Sequence, residues 1–196
     1  RPCRILLCVT MAADLSTTHF ELFGLTPSFD VDMEQLDSRY RELQRAVHPD
    51  RFANASDQER RISMQRATQI NEGYQVLKDS LRRGRYLLEL GGYRFDDGQQ
   101  TNNDVEFLME QMELRESLGE AREADDAFAA LGKVMDRIAR DNERLTGILQ
   151  RQFAAGDPCG DGCSDCIAET LTKMQFFQKL QEEAMELEIT LEDEMG

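Results

Sequence analysis

The 196-residue chain has no tryptophan, four prolines and two histidines. It also lacks strand-like alternation of useful length and any apolar run long enough to span a bilayer. Its longest early apolar stretch is Ile5-Leu6-Leu7-Cys8-Val9, too short for a transmembrane helix and without a clear cleavage site. Two histidines, His19 and His48, leave few candidates for a general base, and no nucleophile–base pairing is evident. No Gly-rich phosphate cradle or Walker loop occurs. The sequence therefore reads as a non-enzyme. The five cysteines, Cys3, Cys8, Cys159, Cys163 and Cys166, are odd in number and sit at opposite ends of the chain. That is a poor disulfide framework, and a reducing, cytoplasmic setting is the simpler expectation. Arg1 opens the chain and Met11 follows, so residues 1–10 are expected to precede the natural start, within a disordered or non-native extension over 1–17.

What is present is charge. The net charge is −15, which argues against general binding to nucleic acid or an anionic membrane. It is unevenly spread. Residues 39–94 hold 12 Lys/Arg against 7 Asp/Glu, whereas residues 95–196 hold 9 against 25. The change of sign suggests two parts with different partners, although two solvated surfaces would also produce it.

Helical periodicity runs throughout. A short apolar helix is predicted over His19–Gly24, with Thr26-Pro27 as its breaker. Met33, Leu36, Tyr40, Leu43 and Val47 recur at spacings of three and four, after a capping box of Asp32 and Gln35. Pro49 ends this helix, because the residue before a proline is pushed out of the α region. Beyond a polar loop, Arg51 to Ala55, a second box of Ser56 and Glu59 opens a helix marked by Ile62, Ala67, Ile70, Tyr74 and Leu77. The two helices are long enough to pack antiparallel. A shorter helix is predicted over Ser80–Leu90. Gly91-Gly92 leads into a stretch rich in Gly, Asp, Gln and Asn, and 93–103 reads as a linker.

The second half is predicted to hold three helices: about Asp104–Leu118, one through Phe128, Leu131, Met135, Ile138, Leu145, Leu149 and Phe153, and one through Leu171, Met174, Phe177, Leu180, Ala184, Leu187 and Leu191. At about 100° per residue, Phe107, Leu114 and Leu118 share one side of the first of these, and Val105, Leu108, Met109 and Met112 fall on the opposite side. A surface helix needs one buried stripe. The second must meet another helix or a partner, and methionine adapts well to partner surfaces. Glu113, Glu116 and Glu120 border it.

His48-Pro49-Asp50 stands out between the two hairpin helices. Proline stiffens the chain and leaves an exposed carboxylate able to accept charge-assisted hydrogen bonds from a partner arginine. Arg39, Arg41 and Arg45 on the preceding helix make a basic face suited to an acidic groove; a plain polar helix stop is the alternative. The arrangement closely resembles the J-domain of DnaJ-type co-chaperones. That resemblance implies that His48, Pro49 and Asp50, with Arg41 and Arg45, dock on an HscA- or DnaK-type chaperone and stimulate its ATP hydrolysis.

The chain lacks the Gly/Phe-rich segment and Cys-x-x-Cys repeats of general DnaJ proteins. Instead, the runs from Phe107 to Glu116, Met174 to Leu180, Phe20 to Leu25 and Ala67 to Tyr74 are similar to HscB, a J-type co-chaperone of iron–sulfur cluster assembly. The likeness spans about residues 18–192 apart from the cysteine loop. It implies an all-α protein: a J-domain over 18–92, being an antiparallel helical hairpin plus short helices, then the 93–103 linker and a three-helix bundle over 104–196. It also implies that Leu108, Met109, Met112, Glu113, Glu116 and Phe176 bind the scaffold protein IscU, and that no cofactor is required.

The loop 156–166 departs from that pattern. Cys159, Cys163 and Cys166 have C-x3-C-x2-C spacing, and Asp157, Asp161 or Asp165 could add a fourth donor to a soft metal. Free thiols on a tolerated insertion are the simpler expectation. Two further readings stay open: a J-domain co-chaperone with another client, and a metal- or redox-sensing protein acting through these cysteines.

Overall fold

A computed structural model describes residues 17–52, 55–95, 104–155 and 163–195. The described residues contain no strand. They form α1 (His19–Phe23), α2 (Met33–Ala46), a 3-10 turn (Pro49–Phe52), α3 (Asp57–Lys78), α4 (Ser80–Leu90), α5 (Val105–Glu123), α6 (Ala127–Ala154) and α7 (Cys163–Met195). The chain divides into two compact units. One holds Val31–Lys78 with the described residues before Ser28; the other holds Ser28–Asp30 and the described residues from Asp79 onward.

In the first unit, α1 and α2 pack on α3. Of the two expected capping boxes, the one at Ser56 forms in full and the one at Asp32 forms only its Asp32 half. The Asp32 side chain accepts from the Gln35 N–H at 3.0 Å. Ser56 and Glu59 exchange bonds, with the Glu59 carboxylate accepting from the Ser56 N–H and hydroxyl at 2.9 and 2.8 Å. A further reciprocal box starts α1, where Thr18 and Glu21 cap each other. Gly24 ends α1 at φ 65, a left-handed conformation that glycine adopts without a Cβ penalty. The apolar faces bury Phe20, Phe23, Leu36, Ile70 and Leu77. The α2–α3 seam is also polar. Tyr40 and Tyr74 stack at 4.0 Å, Tyr74 donates to Asp37 at 2.8 Å, and Tyr40 donates to Asn71 at 3.0 Å. Such paired, oriented contacts fix register more tightly than apolar burial alone.

In the second unit, α5, α6 and α7 form the expected helical bundle, and α4 packs on α7. The sequence places the end of the first region at 92. Helix α4 lies in the same compact unit as the later helices, and its Leu81 and Leu88 enter the same buried cluster as Leu171 and Phe177. Gly84 permits the approach: a Cβ there would lie 2.7 Å from Leu171 Cδ2. Phe29 belongs to this cluster too. It stacks on Phe153 at 4.9 Å, and the buried Arg83 guanidinium lies 5.0 Å from its ring centre.

The structure extends two predicted elements. Helix α5 runs past Leu118 to Glu123, because Ala121 joins Leu131, Ala184 and Leu191 in a second buried cluster. Helix α7 begins at Cys163, so Cys166 lies in its first turn. Ile167, Ala168 and Leu171 begin the buried stripe in the turns that follow. Residues 1–16 of the expected extension, residues 96–103 of the linker and the loop from 156 to 162 lie outside the described residues.

Candidate functional site

The candidate site has two parts, one in each unit. The first is the turn after α2. The last α-helical bond of α2 runs from the Val47 N–H to the Leu43 carbonyl at 3.2 Å. The chain then tightens into the 3-10 turn, and the Arg51 N–H reaches the His48 carbonyl at 3.0 Å. Two side chains pin this corner. Buried Ser63 of α3 donates to the Val47 carbonyl at 2.9 Å. Arg51 donates to the Arg45 carbonyl at 3.5 Å, placing a cation at the negative end of α2.

His48 and Asp50 are thus held on a fixed corner yet stay in solvent, with side-chain exposures of 58% and 90%. The Asp50 N–H faces His48 Nδ1 at 3.3 Å. The same nitrogen is 3.5 Å from the Asp50 carboxylate. The His48 ring thus abuts the Asp50 backbone, and the Asp50 carboxylate stays exposed to an outside donor. Arg41 and Arg45 are exposed one turn apart on α2. Arg39 is engaged with Glu42 at 3.0 Å. Among the described residues, Arg41 and Arg45 form no ion pair.

The second part is α5. Asp104 caps it, accepting from the N–H groups of Glu106 and Phe107, both at 3.1 Å. Its other oxygen receives Lys173 of α7 at 2.7 Å. The Lys173 hydrogen bond, then the Phe107 N–H, hold the Asp104 carboxyl below its usual range. Burial works against the Lys173 charge, but bonds to Asp104 and Glu169 raise it overall. This lock sets the rotation of α5. Phe107, Leu114 and Ala121 turn inward. On the other side Val105, Leu108, Met109 and Met112 are 68, 44, 59 and 72% exposed. The stripe expected from helical periodicity is therefore uncovered rather than buried in the bundle.

The charged border of that stripe is only partly free. Glu113 approaches Arg137 of α6 at 3.5 Å, and Glu110 approaches Arg144 at 4.0 Å; Glu116 is exposed. Sequence reasoning missed Arg137 and Arg144, since only the register of α5 against α6 pairs them with these glutamates. Phe176 is half-buried, edge-on to Phe107 at 5.7 Å and to Phe177 at 5.4 Å, with the Arg115 guanidinium 5.6 Å from its ring centre. It serves the core as well as the surface. Of the metal candidates, Cys159 and the Cys163 side chain lie outside the described residues, and Cys166 is exposed. Among the described residues, no group of three or more His, Cys, Asp or Glu side chains is placed to hold a metal ion, and no helix is long and apolar enough to cross a membrane.

Comparison with known proteins finds two family matches along the chain. Residues 18–86 match the DnaJ domain family. Residues 103–185 match the family described as the HSCB C-terminal oligomerisation domain. The co-chaperone protein HscB homolog of Shewanella oneidensis is 43% identical over 175 residues, covering 89% of this chain and 99% of the relative. The corresponding homolog of Colwellia psychrerythraea is 39% identical over 176 residues, covering 90% and 99%. Among solved structures, chaperone HscB from Vibrio cholerae is similar with a TM-score of 0.75 at 39% identity, covering 89% of this chain and 99% of that one. Human co-chaperone protein HscB is similar with a TM-score of 0.80 at 31% identity, covering 97% and 93%. The chain belongs to the HscB family and is a J-domain co-chaperone rather than an enzyme.

Proposed function

We propose that this protein stimulates the ATPase of an HscA-type chaperone of the DnaK class and delivers the IscU scaffold to it during iron–sulfur cluster assembly, in the cytoplasm. The observation that carries this reading is the presence, in one chain, of an exposed carboxylate on a pinned turn and an exposed apolar stripe on a locked helix. Each has the chemistry of a docking element, and each lies in a different compact unit.

At the chaperone end, Asp50 accepts charge-assisted hydrogen bonds from a cation of the partner. Pro49 and the Ser63 bond hold it there without a further loss of backbone entropy on binding. Arg41 and Arg45 steer the acidic partner surface onto α2, an effect that weakens with salt. At the scaffold end, Leu108, Met109 and Met112 supply the apolar centre of an interface. Glu113 and Glu116 form its polar rim, and Phe176 supports it from α7. Such an adaptor needs no cofactor.

A reciprocal pair of variants tests the reading. Asp50→Ala should abolish stimulation of the chaperone ATPase and leave IscU binding unchanged. Replacing Leu108, Met109 and Met112 together by Ala should weaken IscU binding and leave stimulation of the ATPase unchanged. A single variant that removes both activities without unfolding the chain would contradict two separate docking ends.

A further inference from the structure

Beside the His48–Asp50 corner, the first unit has a cleft of about 460 Å³, within the size range of ligand-binding sites. Its walls are apolar: Ala46 and Val47 at the end of α2, Phe52 of the 3-10 turn and Ile62 of α3. The polar groups that border it are already used. Ser63 donates to the Val47 carbonyl, and the Glu59 carboxylate is held by Ser56. Those bonds lower the Glu59 carboxyl's affinity for a proton, backbone bond first. What the cleft offers is aliphatic and aromatic surface flanked by the guanidinium groups of Arg51 and Arg66. Among the described residues, neither arginine forms an ion pair.

An apolar slot between two cations fits an aliphatic side chain neighboured by carboxylates. Its position selects the source. Val47 precedes His48 and Arg51 follows Asp50, so a polypeptide that contacts Asp50 passes the mouth of the cleft. The exposed Arg41 and Arg45 extend the same positive surface along α2. We propose that the cleft receives an aliphatic side chain from an acidic segment of the partner chaperone, seated when Asp50 engages its cation. The assignment rests on the co-chaperone reading of this corner. It adds a pocket that fixes register to a contact otherwise made of charges, and small desolvated pockets of this kind concentrate binding energy.

The test uses the full chain and a purified HscA-type chaperone, following single-turnover ATP hydrolysis as the concentration of this protein is raised. Ala46→Trp fills the mouth of the cleft, and Arg66→Glu reverses one flanking charge. Each should raise the concentration giving half-maximal stimulation by about tenfold, while Arg66→Lys stays close to the original. Should Ala46→Trp disturb the fold by circular dichroism, Arg66→Glu decides. Wild-type stimulation by the folded cleft variants, with Asp50→Ala inactive, overturns the cleft and leaves the co-chaperone reading standing. Full stimulation by Asp50→Ala overturns both.

Discussion

Replacing Leu108, Met109 and Met112 together by Ala should weaken IscU binding without weakening the fold. Burying a Leu or Met side chain completely is worth about 1.5–3 kcal/mol. The three side chains are 44, 59 and 72% exposed, so covering what remains uncovered would contribute roughly 2.5–5 kcal/mol before the costs of association. Alanine keeps part of that contact. The expected loss is about 2 kcal/mol, or ~30-fold in Kd. Isothermal titration calorimetry reads it directly, and the heat-capacity change of binding should become less negative because less apolar surface is buried. The melting temperature should stay level or rise slightly, since exposed alanines favour helix. Phe176→Ala is a poorer probe. That ring packs on Phe107 and Phe177, so its loss would cost about 2 kcal/mol of folding stability and mix two effects. A triple variant that binds within twofold of the original, with an unchanged heat-capacity change, would refute the docking face.

Two stability predictions follow from the packing. Gly84→Val should destabilise the second unit by at least about 2 kcal/mol, because its Cβ meets fully buried Leu171. Gly119→Ala, with open space at its Cβ, should stabilise by up to about 1 kcal/mol; chemical denaturation of both variants checks the opposite signs. His19 lies against Gly73, and burial lowers its affinity for a proton while Glu72 opposes this. The neutral form is therefore favoured in the folded state. Its contribution is present above the unfolded value of 6.5 and is lost as pH falls through the lower folded value. The difference in melting temperature between the original and His19→Gln should shrink from pH 7.5 to pH 5.

Much of this was readable before the structure. Local signals sit in neighbouring residues: Ser56 and Glu59 announce a helix start, Pro49 a stop, and the spacing of Phe107 and Leu114 against Leu108 and Met112 a two-faced helix. Each depends on the geometry of one element, so sequence suffices. What escaped depends on which element meets which. The Ser80–Leu90 helix is plain from its pattern, but nothing in Leu81 or Leu88 says that their partner is Leu171. The cleft between Ala46 and Ile62 and the Glu113–Arg137 approach likewise arise from helix register. The Thr18–Glu21 box was local and could have been found by the same rule that located Ser56.

The placement of Phe29 bears on how the molecule can be divided. Its ring stacks on Phe153 within the second unit, although residues on both sides of it in the chain belong to the first. A single cut after Lys78 would not yield two whole modules: the N-terminal piece would carry a phenylalanine without its stacking partner, and the C-terminal piece would lack part of its core. A chimaera that grafts this J-type module onto another protein must replace residues 28–30 as well as rejoin the chain at 78, and a protease cut at either junction would leave the units tied at the other.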